Sequence, residues 1–272
     1  MSLFHLLMEC RMGKSQKYID WAGENDARAL ELLNGSGGVI VSATKVGYII
    51  MTTDLKGLEK KFDIKNRNRN KPGVVLCGSM AQLEELAELN NEIRAFYQEH
   101  WDRDILLGCI LPWKEEGKTY IPDDGSKELM MDKRATSCFV IKFGVPSEML
   151  AQALWEEQRK LVFASSANPS GSGNRGVVSG IGDKIENGSD LIIGADTYVN
   201  SIQPDKDEKS RYEQGVMISM VDDKGTLVPL QNGNRNVLPA PTLIRKGLSV
   251  DLITTILSDH FNTWDYRQGA YY

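Results

Sequence analysis

Short apolar runs alternate with amphipathic stretches along most of the chain. Gly38–Ala43 (GVIVSA) and Val46–Met51 (VGYIIM) are brief and rich in β-branched residues, which predicts two strands. They follow Asn25–Leu33 (NDARALELL), whose apolar positions recur at helical spacing behind an Asn cap. A helix over Thr53–Phe62 leads to a strand at Gly73–Cys77 (GVVLC), and Ser79-Met-Ala-Gln82 has the form of a capping box opening a helix to Leu89. A helix at Asn91–His100 and a strand at Ile105–Leu111 come next. The polar segment Lys114–Lys133, with Pro-Asp-Asp-Gly at 122–125, reads as a loop. Strand Cys138–Phe143, helix Ser147–Arg159 and strand Lys160–Ala164 form a βαβ-like unit. Strands near Leu191, at Val216–Val221 and at Leu227–Leu230, then a helix at Ser249–Leu257, continue the same domain. Strands this short and apolar imply a sheet covered on both faces, so the class is α/β. The pattern places one domain over residues 25–257, flanked by segments 1–24 and 258–272.

Composition narrows the chemistry. With 272 residues, 41% of them hydrophobic, the chain is long enough for one large core. A net charge of −5 excludes a protein that binds nucleic acid through a global basic field and leaves only a local patch for that role. The four cysteines (Cys10, Cys77, Cys109, Cys138) and three histidines (His5, His100, His260) are scattered, so neither a metal site nor a disulfide framework is expected. The opening MSLFHLLMEC lacks the flanks of a signal peptide, and no run reaches the ~18 apolar residues of a membrane span. A cytoplasmic protein without a membrane role is the expectation.

Three stretches invite a phosphate-loop reading. Gly13-Lys14-Ser15 has the tail of a Walker motif, but its first glycine would fall at Met8 and no strand precedes it. Gly171-Ser-Gly173-Asn-Arg-Gly176 spells G-x-G-x-x-G, yet stands too far from the preceding strand and before a poor helix. The third reading takes the whole loop ASSANPSGSGN at 164–174. Its Ser165, Ser166, Asn168 and Ser170 offer hydroxyls and amides beside free backbone N–H groups, a set suited to an anion. A plain polar turn reversed by Asn168-Pro169 and Gly171 is the alternative. A second segment bears on the choice: Lys61, Lys65, Arg67, Arg69 and Lys71 gather before a strand in an acidic chain. They form either a solvated basic loop or a clamp for polyphosphate.

The order GVIVSATKVGYII (38–50), Lys65-Asn-Arg67 with Lys71-Pro72, Val145-Pro146 and Ser166-Ala-Asn168-Pro-Ser170-Gly171 resembles the YrdC-like family, which includes the threonylcarbamoyl-adenylate synthases. The matching motifs there are P-T-[DE]-T-x-Y-G-L, K-x-R, R-V-P and S-A-N-x-S-G, and the similarity spans roughly residues 25–247. The resemblance implies a twisted, mostly parallel open sheet flanked by helices. It also implies a nucleotidyl transfer that joins ATP, bicarbonate and threonine or another small amine into a carbamoyl adenylate used in tRNA modification. Lys65, Arg67, Ser166, Asn168, Ser170 and Arg245 would then hold ATP, with Mg2+ carried by the nucleotide, and Thr44, Lys45 and Tyr48 would line the acceptor pocket.

Departures from the family pattern fall on the acceptor side. Lys45 stands where the motif is acidic, and Gly144 stands at the arginine of R-V-P, with Lys142 two positions earlier as a substitute cation. Val216-Met217-Ile218 replaces an S-T-V-like segment, whereas Leu243-Ile-Arg245-Lys-Gly247 resembles the family's terminal strand. The alternative function is a non-catalytic RNA-binding or regulatory relative that uses residues 61–71 as an exposed rim for tRNA or double-stranded RNA.

Overall fold

The computed structural model describes residues 17–66, 73–169 and 173–269. Four of the described helices begin where a short polar side chain takes up an unpaired N–H group. Asp26 accepts from Ala29 N ahead of α1 (Ala27–Asn34), and Asp54 accepts from Gly57 N ahead of α2 (Leu55–Lys65). Ser79 does the same for α3 (Met80–Leu86) and Asn90 for α4 (Asn91–Asp102). At α3 the reciprocal half of the box reaches one residue further back, with Gln82 Oε1 accepting from Gly78 N at 2.8 Å. Further along are α5 (Ser126–Met130), α6 (Val145–Gln158), α7 (Asp183–Gly188), α8 (Asp196–Ile202) and α9 (Val250–His260).

The strands are β1 (Tyr18–Asp20), β2 (Ile40–Thr44), β3 (Gly47–Thr52), β4 (Val74–Leu76), β5 (Leu107–Pro112), β6 (Thr136–Ile141), β7 (Val162–Ser166), β8 (Leu191–Gly194), β9 (Val216–Ser219), β10 (Thr242–Arg245) and β11 (Asp265–Tyr266). They form one open sheet in the order β1-β8-β2-β3-β7-β4-β6-β5-β9-β10-β11. The anticipated open sheet flanked by helices is therefore present, and it is mixed. Pairings β1–β8, β8–β2, β4–β6, β5–β9 and β10–β11 are parallel. Pairings β2–β3, β3–β7, β7–β4, β6–β5 and β9–β10 are antiparallel. The antiparallel set centres on β7, which runs between β3 and β4 and carries the end of its strand toward the β2–β3 turn.

Both faces are covered, as the apolar strands require. Phe163, Val75, Phe139, Cys109 and Ile218 pack with Leu58 and Phe62 of α2, Phe96 of α4 and Ile253 of α9. On β7 the alternate residues Val162 and Ala164 face Leu150, Ala151 and Leu154 of α6. Val41, Ala43, Tyr48 and Ile50 form a third cluster with Ile181, Ile185 and Val199. Among the described residues no helix is long and apolar enough to cross a membrane.

Three expectations change. The segment Lys114–Lys133 contains a 3₁₀ turn at Gly117–Tyr120 and the short α5. Neither element has a side-chain bond at its own N-cap residue; the start of α5 is tied to that of α2 by Asp124, which accepts from Ser126 N and, with its other oxygen, from Leu55 N. Leu227–Leu230 is no strand, because Leu227 makes a single bridge to Val221 and Pro229 has no N–H to extend it. Finally, β1 and β11, from segments expected to flank the domain, form the two edges of its sheet.

One core residue makes stability depend on acid. His100 is fully buried, its ring centroid 4.3 Å from that of Phe96. Its Nδ1 lies 2.7 Å from Phe96 O, while Nε2 has no partner. Burial lowers its pKa from 6.5 to about 4, with the Phe96 carbonyl opposing the shift. Between those values the unfolded chain binds the proton and the folded chain does not. Stability therefore falls as pH drops from ~6.5 toward ~4, by on the order of 2 to 3 kcal/mol from this residue. Urea unfolding at pH 7 and pH 4.5 should show that loss, and a His100→Leu variant should lose correspondingly less between the two. Equal losses in both proteins would refute it.

Candidate functional site

The site begins at the last turn of α2. Leu58 and Phe62 face the core, which brings Lys61 and Lys65, one turn apart, against the end of β7. Lys65 is buried, and its Nζ donates to the backbone oxygen of Ser166 and lies 3.3 Å from Ser166 Oγ. Lys61 Nζ lies 4.9 Å from the centre of the Phe62 ring. A Cβ on Gly73 would stand 2.7 Å from that ammonium and 3.3 Å from Ala164 O, so the glycine leaves room for the end of the lysine beside β7. Asn66, in the left-handed conformation (φ 48°), ends α2 immediately after Lys65. The K-x-R lysine and the S-A-N serine thus meet across 101 positions of sequence. Arg67, Arg69, Lys71 and Ser170 lie outside the described residues. The expected exposed rim loses two of its five cations, because Lys61 and Lys65 are both buried.

The loop after β7 is fastened at its base. Ala167 N donates to Tyr48 O at 2.7 Å, carrying the β3–β7 ladder one step past the strand. Asn168 is nearly buried and its Nδ2 donates to Pro169 O at 2.9 Å, while the Ser166 side chain is exposed. Asn174, given no role from sequence, is buried here: its Nδ2 donates to Tyr48 O at 2.9 Å and to Ala167 O at 3.3 Å. Its only sequence signal is its place in a Gly-Ser-rich run, which any turn asparagine shares. After Gly176 the chain forms a 3₁₀ turn at Val178–Ile181, so the G-x-G-x-x-G run opens no α-helix.

The groups assigned to an acceptor each have a partner within the protein. Thr44 Oγ1 donates to Gly47 O at 2.8 Å and closes the β2–β3 turn. Tyr48 is buried; its hydroxyl donates to Asp196 Oδ1 at 2.5 Å and accepts from Ala195 N at 2.7 Å. Burial, then the Asp196 carboxylate, raises its pKa far above the ordinary phenol range. Lys45, expected at a pocket, is buried and sends its ammonium 2.8 Å from Asp104 Oδ2 and 2.5 Å from Asp104 O. Lys142 lies 3.7 Å from Asp104 Oδ1 and 4.2 Å above the Trp101 ring. It thus shares Asp104 with Lys45. At the position of the missing arginine, Gly144 has φ +128°, and a Cβ on it would lie 2.7 Å from Lys45 N and 3.0 Å from Thr44 Cα. Glu148 Oε1 accepts from Gly144 N at 2.6 Å, and burial raises the Glu148 pKa against the pull of Lys45 and Lys142.

Arg245 does not join Lys65 directly. It sits on β10, five strands from β7 in sheet order, with its Nε donating to Gly215 O at 3.0 Å. Its charge reaches Cys138 on β6, whose thiol is pushed up to about 12 by burial and held back by Arg245. Between β7 and β10 the half-buried Val74 and Val140 pack against Cys138, Ile110 and Met217. The arrangement places an apolar floor between a lysine–serine contact on one side and an arginine on the other. Among the described residues no group of three or more His, Cys, Asp or Glu side chains could hold a metal ion.

Comparison with known proteins bears on this geometry. The family model for Sua5, YciO and YrdC, described as "Telomere recombination", matches residues 33–206. No curated protein matches the sequence. Among solved structures, the hypothetical protein smu.1377c from Streptococcus mutans UA159 is 59% identical with a TM-score of 0.89, over 95% of this chain and 100% of that one. YciO of E. coli is 21% identical with a TM-score of 0.57, over 85% of this chain and 95% of its own. Sua5 of P. abyssi, solved in complex with L-threonine, is 19% identical with a TM-score of 0.57, over 84% of this chain and 56% of its own. The chain thus spans little more than half of that Sua5, and both of these likenesses are of fold. The family match contains α2, β7 and the loop between β7 and α7, and on that match this chain belongs to the Sua5/YciO/YrdC family.

Proposed function

We propose that the protein binds ATP, with Mg2+ carried by the nucleotide, and converts it to a carbamoyl adenylate. The observation that carries this reading is the meeting of Lys65 with Ser166 at the base of a hydroxyl- and amide-rich loop. Family membership and the open sheet support it. An amine and bicarbonate first give a carbamate and water. A carbamate oxygen then attacks the α-phosphorus, the bond from that phosphorus to the bridging oxygen breaks, and pyrophosphate leaves with the electron pair. The protein's task is alignment and neutralisation of the leaving group. Lys65 serves as a point charge for the polyphosphate, Arg67 as a two-pronged partner, and Ser166, Asn168 and Ser170 as neutral donors. The floor at Val74 and Val140 suits the base, and Arg245 lies at its far side.

The acceptor in this reading is a small amine or amino acid other than threonine. Thr44, Lys45 and Tyr48 have committed their polar groups to Gly47, Asp104 and Asp196, and Gly144 leaves no room for a side chain. Each of these facts concerns a position where the family pattern places acceptor contacts.

Two outcomes are expected. Lys65→Ala should weaken ATP binding by about ten- to a hundred-and-fiftyfold, the cost of one charge-assisted contact, as read by calorimetry. Pyrophosphate release measured with ATP, bicarbonate and a panel of amines should be stimulated by one of them and not strongly by L-threonine. No ATP binding by the parent protein would sink the proposal, and strong stimulation by threonine would sink its acceptor half. Independently, Gly144→Ala should destabilise the fold by about 2 kcal/mol or more, since it meets both a backbone clash and a strained φ. Gly23→Ala, with a positive φ but nothing within 4 Å, should cost about half as much in the same urea titrations.

A further inference from the structure

One buried side chain, Asn174, ties the chain that leaves β7 to the start of β3. Asn174 is only 4% exposed and touches all three strands of chain that meet there. Its Nδ2 bridges Tyr48 O at 2.9 Å and Ala167 O at 3.3 Å, and its Oδ1 accepts from Gly176 N at 3.1 Å. A Cβ on Gly47 would stand 2.2 Å from that Oδ1, so the β2–β3 turn is shaped around the carboxamide. The backbone oxygen of Asn174 accepts from Val177 N at 3.1 Å, which turns the outgoing chain away. Ala167 lies directly between Ser166 and Asn168. Whatever holds its carbonyl also holds the two side chains on either side of it.

We infer that Asn174 is the positioning residue of the anion-binding loop: its carboxamide fixes the peptide between Ser166 and Asn168, and ligand affinity there depends on its two N–H groups. This rests on the nucleotide reading of the site. An amide suits the position because it donates twice on one side while accepting on the other. Aspartate, of the same shape, turns both donors into acceptors facing the Tyr48 and Ala167 oxygens. Burial among acceptors raises the pKa of such a carboxyl, and its protonated form regains one donor. The charged groups around Asn174 among the described residues include Arg175, next in the chain, Asp196, which binds Tyr48 Oη and Val178 N, Glu213, which accepts from Arg175 N, and Arg211, which reaches Gly176 O.

The test compares the full-length protein with Asn174→Asp, measuring ATP affinity from pH 8 to pH 5.5 below the melting temperature of both. Amide hydrogen exchange over residues 164–169 is followed in the same samples. Expected is a roughly ten- to hundredfold weaker affinity for the variant at pH 8, with the ratio to the parent closing as pH falls. Faster exchange at Ala167 should accompany it. A variant that melts earlier yet binds ATP with unchanged affinity at every pH would overturn the inference. If neither protein binds ATP, the nucleotide reading fails by itself, and exchange then decides: unchanged exchange at Ala167 overturns the role of Asn174, and faster exchange upholds it. Should the aspartate variant not fold, Asn174→Ala measured at one pH carries the same affinity and exchange comparison.

Discussion

A buried ammonium against a backbone carbonyl organises this site. Lys65 gives up most of its contact with water to reach Ser166 O, a cost that a carbonyl dipole offsets only where the approach is close and held. The holding comes from two directions. Packing of Leu58 and Phe62 sets the rotation of α2, and antiparallel pairing of β7 with both β3 and β4 sets the height of Ser166. β7 cannot slip by one residue against either neighbour, since that would turn Phe163 and Ala164 to the wrong faces. The chemistry of the loop is thus anchored in the register of the central strands.

Part of the familiar motif pattern also makes contacts within the protein. Thr44 and Tyr48 keep residue types that suit ligand contact, yet their hydroxyls lock a turn and the start of α8. Lys45 buries its stem and reaches an exposed Asp104, whose side chain is 68% accessible. Such a half-buried pair gains from the low-dielectric end and loses to solvent at the other. With Gly144 packed on the Thr44–Lys45 backbone, the β2–β3 turn and the start of α6 form one continuous contact. A polar residue in a familiar motif says which atoms are available, and only the neighbours say whether they are used up.

That distinction marks what could be read from the chain alone. The helix start at Ser79 was legible because a cap is a local interaction spanning a few residues, whereas ahead of α1 the capping side chain is Asp26 and not the neighbouring asparagine that the sequence suggested. The joining of Lys65 with Ser166 was legible through the pairing of two motifs in the order of a known family. The partner of Lys45 was not, since Asp104 is 59 positions away and nothing in its surroundings sets it apart. Asn174 was hidden for the opposite reason: asparagine in a Gly-Ser run is ordinary turn chemistry, and its burial arises from the strand pairing of distant Tyr48. The edge strands were missed because a strand of two or three residues, such as β11 or β1, has too short a run to show a period.

Those edge strands shape how the molecule meets others of its kind. β8 is Leu-Ile-Ile-Gly with all four residues buried, and β1 lies along its outer side through Tyr18, Ile19 and Asp20. At the far side Asp265 and Tyr266 flank β10 in the same way. A shortened form beginning at residue 25 would leave the outer side of β8 unpaired, an apolar edge of the kind that recruits a second chain into a shared sheet. The charged and aromatic residues of β1 and β11 thus act as selvedges, the finishing threads of the described sheet.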